Sequence, residues 1–276
     1  MDNYGKYAKL PVTLEKLKNF DAALEKEGLS LDAGFSFMWT DNEMAYNVTP
    51  YDVIVFGHIG SDGIHYGLLS DFGTVPDLEN AFVVCLSPTD YGDHIKLVAK
   101  NAAEFVDLLY TLKSAVAISN FLLMSERAHY QKFFKESKER EGEYPEYEAV
   151  TNKVIEKMKE SLGCRTIEDV YQYVEIEVKE DRAKKTVLAT HDGLGVVPMN
   201  NATSQQERFQ VEKDVPVDLK QAEAFFARAP IESRLAFIRD AQFFFHTEDD
   251  PGLKQMILKE MRRLDLVEES ERLERG

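Results

Sequence analysis

Between Glu27 and His94 the chain carries neither lysine nor arginine, although Asp32, Asp41, Glu43, Asp52, Asp62, Asp71, Asp77, Glu79, Asp90 and Asp93 all lie there. Over all 276 residues, 33 basic side chains face 49 acidic ones, for a formal net charge of -16. A chain so poor in cations lacks the basic footprint needed to bind nucleic acid or an anionic membrane without sequence preference. Two readings remain for the acidic interval: a solvated surface that aids solubility, or a one-signed field that steers a basic partner. Cysteine is also scarce. Cys85 and Cys164 are the only two, and neither has the spacing of a metal knuckle or a redox pair, so both are expected to be reduced, structural thiols. No run of about eighteen apolar residues is long enough to span a membrane, and the start, MDNYGKYAKLPVT, lacks the apolar stretch of a secretory signal. The expectation is a cytoplasmic protein. Also missing are a GxSxG elbow, a Walker A loop, an HExxH helix and a paired Cys-His signature.

The most informative stretch runs from Thr49 to Gly73. Two apolar runs, Val53 to Ile59 and Ile64 to Leu69, flank Gly60-Ser61-Asp62-Gly63, and the Asp-Gly step suits the positive φ angles of a tight hairpin turn. Pairing Gly60 with Gly63 sets Ile59 opposite Ile64, His58 opposite His65 and Phe56 opposite Gly67. Ile54, Phe56, His58, His65 and Leu69 then share one face, with Tyr66 and Leu68 on the other. Both faces are apolar, as in a central hairpin covered on both sides.

Around it, Thr13 to Glu27 reads as an amphipathic helix capped by Thr13 and closed by Gly28, and Phe35 to Trp39 as a short strand holding the only tryptophan. Ala81 to Ser87 and Ile95 to Ala99 read as strands. Asn101 to Leu112 reads as a helix, with Asn101 capping and Glu104 in the capping-box position. Helix, strands, helix in that order point to an α+β fold: an antiparallel sheet with a central hairpin, packed by helices.

Three elements resemble the SUKH superfamily: the run TPYDVIVFGHIGSDGIHYGLLSDF, the apolar strand into Cys85-Leu86-Ser87-Pro88, and IKLVAKNAAEFVDLL. The resemblance covers about Pro11 to Thr111. It implies an α+β binding domain without catalysis, and bacterial members of the superfamily are often immunity proteins that neutralise secreted toxins, many of them nucleases. The acidic interval agrees independently, because an acidic surface can occlude the basic phosphate-binding face of a nuclease.

The chain then runs well past that domain. Ala115 to Phe134 reads as helical and Lys135 to Glu148 as a charged linker, which divides a SUKH-like domain, 1–135, from a mainly helical region, 136–276. Expected there are helices at Glu146 to Leu162, Thr166 to Asp181, Asp218 to Arg228, Pro230 to Phe245 and Gly252 to Arg272. A small hairpin is expected near His191-Asp192-Gly193, and the final segment reads as a solvated helix face. The aromatic load of the C-terminal helices fits packing on one another, on the first domain or on a second subunit.

The function expected from the sequence is a non-enzymatic binding module of immunity type. Its acidic surface, drawn from Asp41, Glu43, Asp62, Asp71, Asp77, Glu79, Asp90 and Asp93, engages a basic protein such as a toxin domain, with no cofactor. The rival reading is a metal-dependent hydrolase using His58, His65 and Asp71, since cross-strand histidines with a carboxylate are metal-ligand types.

Overall fold

The apolar runs become five strands: β1 (Met38–Trp39), β2 (Val53–His58), β3 (His65–Leu69), β4 (Phe82–Leu86) and β5 (Ile95–Ala99). They form one antiparallel sheet in the order β1-β2-β3-β4-β5. The computed structural model describes residues 6–7, 9–40, 46–90, 92–199 and 206–275. Its backbone contacts divide the chain into two compact units. The first comprises Met1–Met44, Ile54–Leu69 and Asp77–Asp181; the second comprises Ala45–Val53, Ser70–Pro76 and Arg182–Gly276. The C-terminal division therefore falls at Asp181–Arg182, and the charged run from Lys135 to Glu148 lies inside the first unit, not at a seam. That run ends α5 (Arg127–Glu139) and begins α6 (Pro145–Leu162). Lys132 and Lys135 each face a glutamate four residues on, the spacing that supports an exposed helix rather than a linker.

In the first unit, α3 (Ala102–Leu112) packs on β4, β5, α1 (Val12–Glu25) and α4 (Ala115–Ser119), while α6 packs on α1 and α2 (Leu31–Phe35). Asn101 caps α3 as expected, accepting from the Glu104 amide at 2.9 Å. Thr13 is not the cap of α1. Its amide donates to Glu79 Oε2 at 3.0 Å and its hydroxyl to Glu79 Oε1, so a carboxylate from 66 residues away satisfies the open helix end. Leu31 to Phe35 is helical, capped by Ser30, so the expected strand shrinks to Met38–Trp39. The ring of Phe105 lies 5.2 Å from both Phe56 and Tyr66. The two therefore share a face, which the expected register denied. Next to the turn the expected pairing holds, the Ile59 amide donating to the Ile64 carbonyl at 3.2 Å, and further along the strands a one-residue offset is enough to move a side chain between faces. Gly57 lies under the Phe37 ring, where an added Cβ would come within 2.5 Å of ring carbon. Gly63, at φ 68, and Asp62, at φ 53, hold the left-handed geometry expected of the turn.

Beyond α6, helix begins only after Asp169, whose side chain accepts from the Gln172 amide, and it runs through a π-helical turn (Gln172–Val178) into α7 (Lys179–Lys185). The π turn carries Glu175, which meets Lys96 Nζ at 2.5 Å and the Tyr130 hydroxyl at 2.7 Å.

The second unit is built from α8 (Leu219–Arg228), α9 (Ile231–Phe243), α10 (His246–Asp249), α11 (Pro251–Arg263) and α12 (Val267–Arg275). Phe225, Phe226, Phe237, Leu253, Ile257 and Leu273 share its core with Tyr51 and Phe72. The expected terminal helix is broken in two at Asp265, which has φ 61. The expected hairpin near Asp192 is a single bridge, Leu188 to Val196. Among the described residues no single helix is long and apolar enough to cross a membrane.

Candidate functional site

Because β3 pairs antiparallel with β4, and His65 stands opposite Leu86, the β2–β3 and β4–β5 turns share one end of the sheet. Local chemistry shapes both turns: the Gly60 amide donates to His58 Nδ1 at 3.1 Å, and the Gly92 amide to His94 Nδ1 at 3.2 Å. This end presents Asp62 and Asp93, both exposed, and the half-buried Asp90. Neither turn contains a lysine or arginine.

The other carboxylates named from sequence are placed elsewhere. Asp77 and Glu79 lie at the opposite end, where Asp77 Oδ1 caps a short 3-10 turn and Glu79 caps α1. Asp71 is not on a surface at all. It is 5% exposed, in the second unit, with both oxygens on Arg182. Asp41 and Glu43 lie outside the described residues.

The metal reading meets the same obstacle, since one of its three residues, Asp71, is engaged by a guanidinium. His65 is fully buried, with Nδ1 2.7 Å from the Gly63 carbonyl, and burial pushes its imidazole down to about 4. Among the described residues no group of three or more His, Cys, Asp or Glu side chains is arranged to hold a metal ion.

Sequence reasoning missed a buried polar cluster inside the second unit. Arg182 donates to Asp71 through Nη1 at 2.8 Å and Nη2 at 2.6 Å, and to the Leu194 and Gly195 carbonyls. Arg239 Nη2 lies 2.6 Å from Asp52 Oδ2, its Nη1 3.3 Å from Asp192 Oδ2, and its guanidinium 4.8 Å from the centre of the Phe72 ring. Asp192 is fixed in turn, its Oδ1 accepting from the Leu194 amide at 2.9 Å. Burial disfavours the Arg239 cation, but Asp52, Asp192 and Asp71 outweigh it and hold its pKa above the usual value. Burial raises the Asp52 carboxyl, against the pull of Arg239. The one sequence signal here was the Asp192-Gly193 step, read for its turn geometry alone. All five side chains are almost wholly buried, so removing one member would strand the opposite charge in a dry interior.

No family model matches the chain, and no curated protein matches it.

Proposed function

We propose that the chain is a non-enzymatic protein-binding module of SUKH type, an immunity-like protein that engages a basic partner such as a nuclease toxin domain in the cytoplasm. The observation that carries this reading is the shared sheet end, where Asp62, Asp90 and Asp93 stand on two adjacent turns within an interval free of lysine and arginine. Exposed carboxylates without interspersed cations raise the encounter rate with a positively charged surface, and salt screens that field over about 10 Å at 0.1 M. The resemblance of the hairpin and the strand-to-helix passage to SUKH sequences supports the same class. Asp71 and Glu79 drop out of the contact set because each already has an internal partner.

The test is a pull-down from the source cells that includes the product of the neighbouring gene, followed by binding kinetics. A stoichiometric basic partner, whose association slows with added salt and with Asp62→Asn combined with Asp93→Asn at unchanged melting temperature, supports the proposal. Association indifferent to both salt and the double variant sinks it.

A further inference from the structure

The turn that carries Asp62 is clasped at both ends by imidazoles, and the two act in opposite senses. His58, the last residue of β2, is half-buried, and its Nδ1 lies 3.1 Å from the Gly60 amide. A backbone N–H only donates, so Nδ1 must offer a lone pair, and His58 is the neutral ring with its proton on Nε2. His65, the first residue of β3, has Nδ1 2.7 Å from the Gly63 carbonyl, which only accepts, so there Nδ1 carries the proton. Between the two clasps the backbone is left-handed at Gly60, Asp62 and Gly63, with φ of 79, 53 and 68. Asp62 is not a glycine, and a side chain keeps that conformation where its surroundings restrain it. The backbone adds the Ile59 amide on the Ile64 carbonyl at 3.2 Å and the Ile64 amide on the Ser61 carbonyl at 3.1 Å, but neither bond involves Gly60 or Asp62.

We infer that His58 is the positioning residue of this acidic tip and makes it proton-dependent: the neutral ring fixes the turn through Gly60, and the protonated ring releases it. That role rests on the reading of the sheet end as the binding surface. An imidazolium donates from both nitrogens, so a proton on His58 sets an Nδ1–H against the Gly60 N–H and the bond is lost. His65 differs, since its Nδ1 donates to the Gly63 carbonyl in either charge state. Around His58, Met38 stands opposite on β1 and would collide with a Cβ on Gly60, so that side is apolar. On β3 the titratable neighbour is His65, which burial keeps neutral down to about 4. The turn itself adds Asp62, and the neighbouring turn adds Asp90, Asp93 and the buried His94, with no lysine or arginine in either. The clasp is therefore whole while His58 is neutral and is lost as the pH falls through the range in which imidazoles titrate, about 8 to 5. The imidazolium charge also offsets the acidic field, so both effects loosen a basic partner in acid.

NMR of the full chain without a partner, between about pH 8 and pH 5, tests the clasp, so its result stands apart from the search for a basic partner. At the upper end the His58 ring is expected to carry its proton on Nε2, with a scalar coupling between Nδ1 and the Gly60 amide nitrogen across the hydrogen bond. At the lower end that coupling is expected to vanish, and the order parameters of Ser61 and Asp62 to fall from about 0.85 to below about 0.6. In His58→Asn the side-chain oxygen stands where Nδ1 stood and accepts from the amide two residues on, as in an Asx-turn, without titrating. Its tip is expected to stay ordered throughout. A proton on Nδ1 of the neutral ring, an absent coupling at the upper end, a tip equally ordered at both ends, or the same loosening in His58→Asn overturns the inference. Should that variant fold poorly, the native chain decides: the Nε2–H ring with a coupling lost in acid supports the clasp, and an Nδ1–H ring or a missing coupling overturns it.

Discussion

Arg182 grips Asp71 across 111 residues of sequence with two parallel contacts, Nη1 to Oδ2 at 2.8 Å and Nη2 to Oδ1 at 2.6 Å, both side chains almost wholly buried. Removing one partner strands the other charge in a dry interior. Arg182→Met is expected to destabilise the second unit by about 3 to 5 kcal/mol, and the double variant with Asp71→Leu to recover much of that loss. Urea unfolding of both variants checks it. Equal losses in the single and double variants would place the energy in lost packing rather than in the stranded carboxylate.

At the hairpin tip, Gly63 sits at φ 68, where a β-branched side chain is strained. Gly63→Val is expected to cost about 1 to 3 kcal/mol. A thermal melt reads this directly. Asp62→Asn, next to it, leaves the backbone geometry possible and is expected to preserve the melting temperature.

His65 gives the first unit a pH dependence of definite sign. Burial holds its imidazole neutral down to about 4, whereas an unfolded histidine titrates at 6.5. The unfolded chain therefore takes up the proton first. Stability conferred by neutral His65 is fully present above 6.5 and is lost as the pH falls to about 4, by about 3 kcal/mol over the window. Urea midpoints measured at pH 7 and pH 4 should show a drop that shrinks in His65→Asn.

Glu79 offers a discriminating case, since sequence alone assigned it to a partner surface. As the carboxylate that caps α1 through Thr13, its loss in Glu79→Ala is expected to cost about 1 kcal/mol and to speed amide exchange in the first turn of that helix. An unchanged melting temperature and unchanged exchange would return Glu79 to the pool of surface acids.

These outcomes separate what could be read from the sequence from what could not. The Asp62-Gly63 turn, the Asn101 cap and the Gly163 stop of α6 are set by residues within a few positions of one another, so their side chains state their own geometry. Lys135 misled because a charge run reads equally as linker or as exposed helix, and the glutamates four residues after Lys132 and Lys135 favour the helix. The acidic interval was legible as composition, yet it mixed exposed Asp62 and Asp93 with buried Asp52 and Asp71. Nothing near Asp52 announces Arg239, because its burial depends on a partner 187 residues away. Glu269, buried where a solvated helix face was expected, hid for a related reason: in a segment dense in both signs of charge, the helix phase that turns one glutamate inward is set by Leu273 and the core it joins.

The wide separation of the arginine pairs also sets a timetable for the nascent chain. Asp52 and Asp71 are synthesised long before Arg239 and Arg182, which follow them by 187 and 111 residues. At roughly 5 to 20 residues per second, Asp52 waits on the order of 10 to 40 s on the ribosome for its arginine. Through that interval the short segments at 45–53 and 70–76 have no core to join, and their carboxylates stay hydrated at the cost only of solvated chain. The second unit thus closes only after Arg239 has been made, by loops long enough to make its folding slow. A stalled or truncated product ending before Arg239 would leave Tyr51 and Phe72 exposed to chaperones and proteases.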